Sequence, residues 1–250
     1  MDREVHNTLA AVEEQHWWWR TRREIIADAI GQYAPAASHG GLRLAEVGCG
    51  HGGNLAMLAK FGQVLGAEAD PDTYSALQAN RGAAYPVIQH QIPEPLPQRY
   101  HVIGMFDVLE HIQDDAQALR WLAGYLEPGG IAVLTVPALQ FLWSELDSAA
   151  KHFRRYTEAG LRRIVPDTLS LEHITYFNSL LFPPIAAIRT AMRLLPRKLR
   201  PSARQLELPP PALNSLLHRI FGLERKLVIR GHLPVGVSVL LVLRRRSAPA

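Results

Sequence analysis

Apolar and polar positions follow two different periods along the chain, and the alternation between them predicts an α/β fold. Short apolar runs of strand length recur between segments whose apolar residues have helical spacing. The runs that predict strands are residues 41–48, 63–70, 83–89, 100–112, 131–137, 171–177 and 235–243. The segments that predict helices are residues 5–33, with an interruption at "HWWWRTRR", and residues 54–62, 72–80, 113–126, 180–195 and 212–230. This order favours parallel strands joined by right-handed helical crossovers.

The composition limits the class of protein further. With 250 residues, of which 48% are hydrophobic, the chain can bury one large core. Its single cysteine excludes an internal disulfide and fits a reducing compartment. The N-terminal segment is acidic and amphipathic, unlike a signal peptide. The longest apolar runs, residues 180–188 and 233–243, are shorter than the roughly 18–20 residues of a spanning helix. We therefore predict a cytoplasmic protein without a transmembrane helix.

The formal net charge of +4 hides an asymmetry between the two parts of the chain. Residues 1–140 are net negative, whereas residues 141–250 are net positive. A basic surface suits an anionic substrate, a membrane surface or nucleic acid, and a solvated basic face explains the charge equally well.

The stretch "EVGCGHGG", Glu46–Gly53, follows the first predicted strand and precedes a helix. Its glycines let the backbone approach a ligand closely, and the helix N-terminus offers free N–H groups. Glu68 ends the next strand, where a carboxylate accepts hydrogen bonds from ribose hydroxyls. The pattern predicts a nucleoside ligand. Because the glycine spacing also fits a dinucleotide fingerprint, a nicotinamide-dependent oxidoreductase stays open as an alternative.

Four segments in register carry a family resemblance: "EVGCGHGGNL", "VLGAEAD", "FDVLEHIQD" and "LEPGGIAVLTVP". Together they resemble the class I S-adenosylmethionine-dependent methyltransferases, close to the type 11/12 group, over about residues 43–140. The resemblance implies a Rossmann-like seven-stranded sheet whose last two strands form an antiparallel pair at one edge. It also implies an N-terminal helical lid at 1–40 and a core of 41–177 and 233–246. Residues 178–232 depart from the family, which commonly has a short turn there, and are predicted to form a helical insertion that contacts the acceptor, a second copy of the chain or a membrane.

The resemblance implies S-adenosyl-L-methionine as the cofactor and S-adenosyl-L-homocysteine as its product. The residues that it assigns to cofactor binding are Glu46, Gly48, Cys49, Gly50, Glu68, Ala69, Asp107, Val108 and Leu109. Asp70 stays open as an alternative ribose ligand, because "EAD" does not fix the register. The family's acid for the adenine amine is missing, so Gln89, Gln91 or a backbone group takes its place. No metal site is predicted.

Three side chains are candidates for a general base: His111, His152 and Tyr156. Transfer to a hydroxyl or an ammonium requires removal of a proton, whereas a carboxylate acceptor needs no base. Histidine is the natural base near neutral pH. For His111, a structural role in closing its loop is the alternative.

Residues predicted to contact the acceptor come from two segments: Trp18 and Trp19, and Trp143, Arg154 and Arg155. The tryptophans belong to "HWWWRTRR", where His16 also comes within reach of the pocket. Arginine forks suit carboxylates and phosphates, so the acceptor is predicted to be anionic or hydrophobic. Plain helix packing and surface ion pairs are the alternatives.

The leading hypothesis is a bacterial-type methyltransferase that modifies an oxygen or nitrogen of a small molecule, in secondary or envelope metabolism. Nucleic acid is not predicted as a substrate, because "DVLEH" stands where a motif such as "NPPY" would be expected. A monomer or homodimer is expected. The rival hypothesis is a peripheral membrane or scaffold protein that retains the fold.

Overall fold

The computed structural model describes residues 12–36, 41–194 and 208–247. Within them, seven strands form one sheet: β1 Leu42–Val47, β2 Gly62–Glu68, β3 Val87–Gln89, β4 Tyr100–Phe106, β5 Leu126–Pro137, β6 Leu169–Phe177 and β7 Ser238–Arg245. Their order is β3-β2-β1-β4-β5-β7-β6. Strands β1 to β5 pair in parallel, and β7 is antiparallel to both β5 and β6. The predicted Rossmann-like sheet is confirmed.

Helices connect the strands on both faces of this sheet. In the described residues they are α1 Trp17–Tyr33, α2 Leu55–Leu58, α3 Pro71–Arg81, α4 Asp115–Tyr125, α5 Glu145–Ala149, α6 Glu158–Ile164, α7 Phe182–Leu194, α8 Pro211–Gly222 and α9 Arg225–Arg230. Short 3₁₀ helices at Leu109–His111 and Gln140–Leu142 follow β4 and β5.

The core lies on both sides of the central strands, which explains their nearly continuous apolar runs. Successive side chains of a strand point to opposite faces. Ile103 and Leu134 therefore pack into one layer, whereas their neighbours Val102 and Val133 pack into the other.

Several predicted boundaries shift for local reasons. The fourth strand ends at Phe106, because Asp107 adopts a left-handed conformation with φ of 58°. The fifth strand begins at Leu126. The helix predicted at 54–62 shrinks to Leu55–Leu58, and Gly62 already belongs to β2.

The stretch "HWWW" begins a helix instead of interrupting one. Its first residue, His16, is the N-cap of α1, and its Nδ1 accepts a hydrogen bond from the backbone N–H of Trp18 at 3.2 Å. Residues 5–11 of the predicted helix lie outside the described residues. The predicted helix at 212–230 divides into α8 and α9.

Helix α1 packs against the two helices that precede β7. The Asn214 side chain on α8 accepts from the backbone N–H of Trp17 at 2.8 Å and donates to the Gln15 carbonyl at 2.9 Å. Arg225 on α9 holds both carboxylate oxygens of Asp28, at 2.9 and 3.0 Å. The predicted lid and the predicted insertion therefore share one helical layer.

Candidate cofactor and acceptor site

A cavity of about 330 Å³ opens at the sheet edge where the parallel strands β1, β4 and β5 end. In α/β sheets, ligands bind at this edge. The predicted site residues that line it are Trp18, Trp19, Glu46, Gly48, Cys49, Gly50, Asp107, His111, His152 and Arg155. The structure thus brings together residues of α1, of the loop after β1, of the segment after β4 and of the loop after α5.

The glycine loop after β1 forms one wall of this cavity. Gly48 has φ of +71°, and a Cβ at this position would lie 2.5 Å from Val108 Cγ2. Gly50 has φ of +55°, and a Cβ there would meet no atom within 4 Å. Both conformations favour glycine, Gly48 also has no room for a side chain, and Gly50 leaves open space beside the loop.

Glu68 and Asp70 have different tasks at the end of β2. The Glu68 carboxylate accepts hydrogen bonds from the backbone N–H of Gly50 at 2.8 Å and of Asp70 at 3.0 Å. Asp70 is the N-cap of α3, where its side chain accepts from Thr73 N at 2.9 Å. Glu68 is therefore the carboxylate joined to the glycine loop. It retains lone pairs for further donors.

The two glutamines considered for adenine lie at and beyond β3. Gln89 is the exposed last residue of that strand. The backbone N–H of Gln91 donates to the Glu94 carboxylate at 3.1 Å. An adenine contact by either residue stays a prediction.

Glu46 presents a buried carboxyl group to the cavity. Asn54 Nδ2 donates to its Oε1 at 2.6 Å, and its buried Oε2 has no hydrogen-bond partner among the described residues. Burial raises the pKa of Glu46 to about 8. A cationic amino group, such as that of S-adenosylmethionine, would satisfy this oxygen, so the loop fits the cofactor implied by the sequence.

Asp107, at the end of β4, is tied to the helix that covers the cavity. Its carboxylate pairs with the guanidinium of Arg22, a buried residue of α1, and accepts from Thr135 Oγ1 at 3.2 Å. The left-handed backbone at Asp107 turns this carboxylate toward the cavity lining.

His111 and His152 meet edge to face, with ring centroids 4.6 Å apart. His152 Nδ1 lies 3.0 Å from Asp147 Oδ1, and Arg155 holds the same carboxylate through bonds of 2.8 and 2.9 Å. Burial would raise the pKa of Asp147, but the hydrogen bond to His152 and the charge of Arg155 lower it below its usual range. Burial, followed by the neighbouring His152, lowers the pKa of His111 to about 4, so its imidazole is neutral at physiological pH.

Three residues predicted as a base or as acceptor contacts lie outside the cavity lining. The Tyr156 hydroxyl donates to the Leu109 carbonyl at 3.2 Å and lies 3.1 Å from an Asp115 oxygen, and burial raises its pKa. Arg154 pairs with the same Asp115 carboxylate at 2.6 Å. Trp143 Nε1 donates to Ser148 Oγ at 3.0 Å. These side chains hold the loops behind the site.

Four predicted cofactor residues also lie outside the lining: Glu68, Ala69, Val108 and Leu109. Leu109 is fully buried in the core, and Val108 packs against Gly48. Ala69 lies between Glu68 and the cap at Asp70.

Arg22 and Arg189 line the cavity although the sequence did not single them out for the site, and Glu110 lines it as part of the segment 106–111, which the family resemblance places at the pocket. Arg22 follows Trp18 by four residues, which places both on one face of α1, and this spacing was the available signal. Glu110 precedes His111 in "LEH" and is wholly buried. Arg189 comes from α7, donates to the Leu142 carbonyl at 2.7 Å, and has its pKa lowered to about 10 by burial.

A second cavity of about 320 Å³ adjoins the first and is mainly apolar. The two cavities share Trp18, Trp19, Arg189 and Val237. Beyond these shared residues, the second one is lined by Leu146, Ile185, Ile188 and Met192 among others. The tryptophans thus lie between a cavity of mixed polarity and a mainly apolar one.

The sheet order and the glycine loop are those of the class I S-adenosylmethionine-dependent methyltransferase fold. The model of the methyltransferase domain family matches residues 18–180, which is most of the chain, so the protein belongs to that family.

Two curated proteins match about half of the chain. The Mycolicibacterium smegmatis protein named "Probable S-adenosylmethionine-dependent methyltransferase" is 29% identical over 52% of this chain and 49% of its own length. A ubiquinone biosynthesis O-methyltransferase of Bradyrhizobium diazoefficiens is 27% identical over 52% of this chain and 56% of its own. The chain therefore spans about half the length of the curated relatives that it matches.

Among solved structures, the methyltransferase in complex with the Trm112 activator of Haloferax volcanii has a TM-score of 0.62. It is 16% identical, with full coverage of both chains, and at this identity the likeness shows the fold alone. In the described ranges, none of the helices combines the length and the apolarity needed to cross a membrane.

Proposed function

We propose that the protein transfers a methyl group from S-adenosylmethionine to an oxygen or nitrogen of a small-molecule acceptor held in the 330 Å³ cavity. One observation carries this proposal: the glycine loop and the His111–His152 pair line the same cavity. A methyl donor on the loop and an acceptor beside the histidines would be held in reacting distance, and such alignment supplies most of what this reaction needs.

The cofactor-binding roles follow from the contacts of each carboxylate. Glu68, joined to Gly50, is assigned to the ribose hydroxyls, and Glu46, with its unpartnered oxygen, to the amino group. Gly48 and Gly50 allow the close approach of the backbone. When bound, S-adenosylmethionine supplies an electrophilic methyl group, and the chain has only to orient the acceptor and manage its proton.

Proton removal is assigned to the histidine pair. Asp147 holds Nδ1 of His152, which leaves Nε2 to face the interior of the site. Burial keeps His111 neutral by lowering its pKa to about 4, so its ring can accept a hydrogen bond from the O–H or N–H of the acceptor and hold it beside His152. The name of the Bradyrhizobium relative, an O-methyltransferase, supports oxygen as the acceptor atom.

The adjoining apolar cavity supports an acceptor with a hydrophobic part. Burying each methylene there is worth about 0.8 kcal/mol. Arg189, at the boundary of the two cavities, is placed to meet an anionic group between the polar and apolar parts. We propose an acceptor of this kind from secondary or envelope metabolism.

The test is calorimetric titration with S-adenosylhomocysteine of the wild type, the variant Glu68→Gln and the control Glu94→Gln. We expect micromolar binding by the wild type and the control, and a loss of about tenfold or more when the ribose contact is removed. Folded wild-type protein that binds no S-adenosylhomocysteine would refute the proposal.

A second candidate function, contact with a membrane surface, is favoured by a row of exposed leucines. Leu213, Leu216, Leu223 and Leu227 on α8, α9 and their junction are 46%, 53%, 74% and 58% exposed. Their spacing places them on one face of a nearly continuous helix, and the basic Arg219, Lys226 and Arg230 lie beside that face.

Co-sedimentation with vesicles of anionic or neutral phospholipid tests this second candidate. We expect the wild type to bind anionic vesicles and the double variant Leu216→Ser/Leu223→Ser to stay in solution. Equal behaviour of the two proteins contradicts membrane contact. Concentration-dependent dimers that the double variant lacks would assign the leucines to a second copy of the chain.

A further inference from the structure

We propose that Glu110, His111 and His152 bind one divalent transition-metal ion of the zinc type in the cavity, where the ion takes an oxygen of the acceptor as a further ligand. The inference rests on the proposed function, because it assigns the acceptor to this cavity. It replaces a direct role of the histidines in proton removal.

The three side chains converge from two separate segments. Glu110 and His111 belong to the 3₁₀ helix after β4, whereas His152 comes from the loop after α5. One potential ligand atom from each lies within 4.8 Å of the other two, and His152 Nε2 is 3.9 Å from Glu110 Oε1. With metal–ligand bonds of about 2.0–2.2 Å, tetrahedral ligand atoms lie about 3.3–3.6 Å apart, so the His152–Glu110 pair must approach by roughly half an ångström and the widest separation by up to about 1.5 Å to close the site around one ion.

Glu110 is the observation that points to a bound cation. Its side chain is wholly buried, and neither carboxylate oxygen has a hydrogen-bond partner among the described residues. A buried carboxylate that lacks a partner is costly, and such groups are found paired or coordinating metals. The carboxylate lines the cavity together with both imidazoles.

Both histidines have an outer contact that leaves one ring nitrogen for a metal. Asp147 holds Nδ1 of His152 at 3.0 Å and is itself fixed by Arg155 and Ser144. The backbone of Ala150 lies beside the His111 ring. Metal-bound histidines almost always have such a carboxylate or carbonyl partner, which sets the tautomer and the ring orientation.

The ligand set indicates the kind of ion and the kind of site. Two imidazoles and one carboxylate suit zinc and the neighbouring divalent transition metals better than magnesium or calcium. Three protein ligands leave at least one open position, as in catalytic zinc sites, and here the open position faces the cavity.

An ion at this place would select acceptors with a hydroxyl group. Coordination lowers the pKa of a bound hydroxyl, so its proton leaves to solvent water. The resulting oxyanion then forms the new O–CH₃ bond as the C–S bond of the donor breaks, and S-adenosylhomocysteine is released. Atoms and charge balance without any oxidant or additional reactant.

The test is titration of the full chain with Co²⁺, followed by visible absorption and by competition with Zn²⁺. We expect one equivalent to bind with a low-symmetry cobalt spectrum. Glu110→Gln and His152→Ala should each weaken binding by about 10- to 100-fold. The control His218→Ala removes a histidine that pairs with Glu24, away from the cavity, and should bind as the wild type.

The same samples are titrated with S-adenosylhomocysteine, so that the two proposals fail separately. Retained binding by Glu110→Gln shows that this isosteric variant is folded. If the wild type binds S-adenosylhomocysteine but takes up cobalt no better than Glu110→Gln, the metal site is refuted and the methyltransferase proposal stands. If cobalt binds and S-adenosylhomocysteine does not, the proposed function fails instead.

Discussion

At the scale of single residues, the raised pKa of Glu46 makes cofactor binding depend on pH. Burial raises this pKa to about 8, so the free protein has a mostly protonated carboxyl group at neutral pH. A cationic amino group favours the carboxylate, and binding therefore releases a proton. We expect affinity for S-adenosylhomocysteine to rise with pH by up to about tenfold per unit and to level off above about pH 8.

Calorimetry in buffers of different ionisation enthalpy measures that proton release, with Glu46→Gln as the control that lacks it.

The effect of Glu46 on folding stability has the opposite dependence on pH: it falls as the pH rises. The contribution of neutral Glu46 is complete below the unfolded pKa and is lost as pH rises through about 8. Glu46→Gln should therefore lose less stability than the wild type between pH 6 and about pH 9. Identical pH profiles for both proteins would contradict the assignment.

Gly48→Ala tests the conformation of the glycine loop. The Cβ of an alanine at this position would lie 2.5 Å from Val108 Cγ2, and the alanine would have to adopt a φ of +71°. We expect cofactor binding to fall at least tenfold and the free energy of unfolding to drop by about 1–3 kcal/mol. Calorimetry and urea denaturation measure the two effects.

Gly124→Ala is the matched control for that substitution. Gly124 lies inside α4, and a Cβ there meets no atom within 4 Å. This change should stabilise the protein by about 0.5–1 kcal/mol. Equal effects of the two substitutions would mean that the loop has no special need for glycine.

At the scale of elements, α1 covers the site because the Arg22–Asp107 pair connects it to the end of β4. Arg22→Ala leaves the Asp107 carboxylate without its cation, so we expect a loss of about 2 kcal/mol in the free energy of unfolding and faster proteolysis within α1. Arg20→Ala removes an exposed arginine from the same helix and is the control. Comparable denaturation and cleavage of both variants would contradict the role of the pair.

The strands and the glycine loop could be predicted because their signals are local. Apolar runs identify buried strands, and four motifs in register identify the family. The contacts that complete the site are not local: Arg22 and Asp107 are 85 residues apart in sequence. Tyr156 was a reasonable candidate base, but the structure places its hydroxyl against the Leu109 carbonyl, a contact that no sequence pattern discloses.

The sequence also did not predict two unusual backbone conformations beside the site. Asp107, directly after β4, and Leu139, the N-cap of the 3₁₀ helix Gln140–Leu142, both have positive φ without being glycine. Residues held in this region are unusual, and tertiary contacts determine where they occur. The sequence did not predict His16 as an N-cap either, because histidine is not a common residue at that position.

At the scale of the whole molecule, one glutamate joins the segment after β6 to the helices before β7. The buried Glu224 carboxylate accepts hydrogen bonds from the backbone N–H groups of Asn178, Ser179 and Leu180. Glu224→Ala leaves these donors without an acceptor, and we expect a loss of about 2–4 kcal/mol in the free energy of unfolding. Its neighbour Leu223, 74% exposed, gives the control Leu223→Ala, with an effect below about 0.5 kcal/mol. Urea denaturation that ranks the two equally would contradict this role.

The position of β7 has a consequence for biosynthesis. The strand made last of the seven, Ser238–Arg245, lies between β5 and β6, not at an edge. While the ribosome is still adding these residues, β5 and β6 each expose an unpaired apolar border, which is the condition for pairing with the wrong chain. A chain truncated before Ser238 keeps both borders unpaired, and we therefore expect it to aggregate.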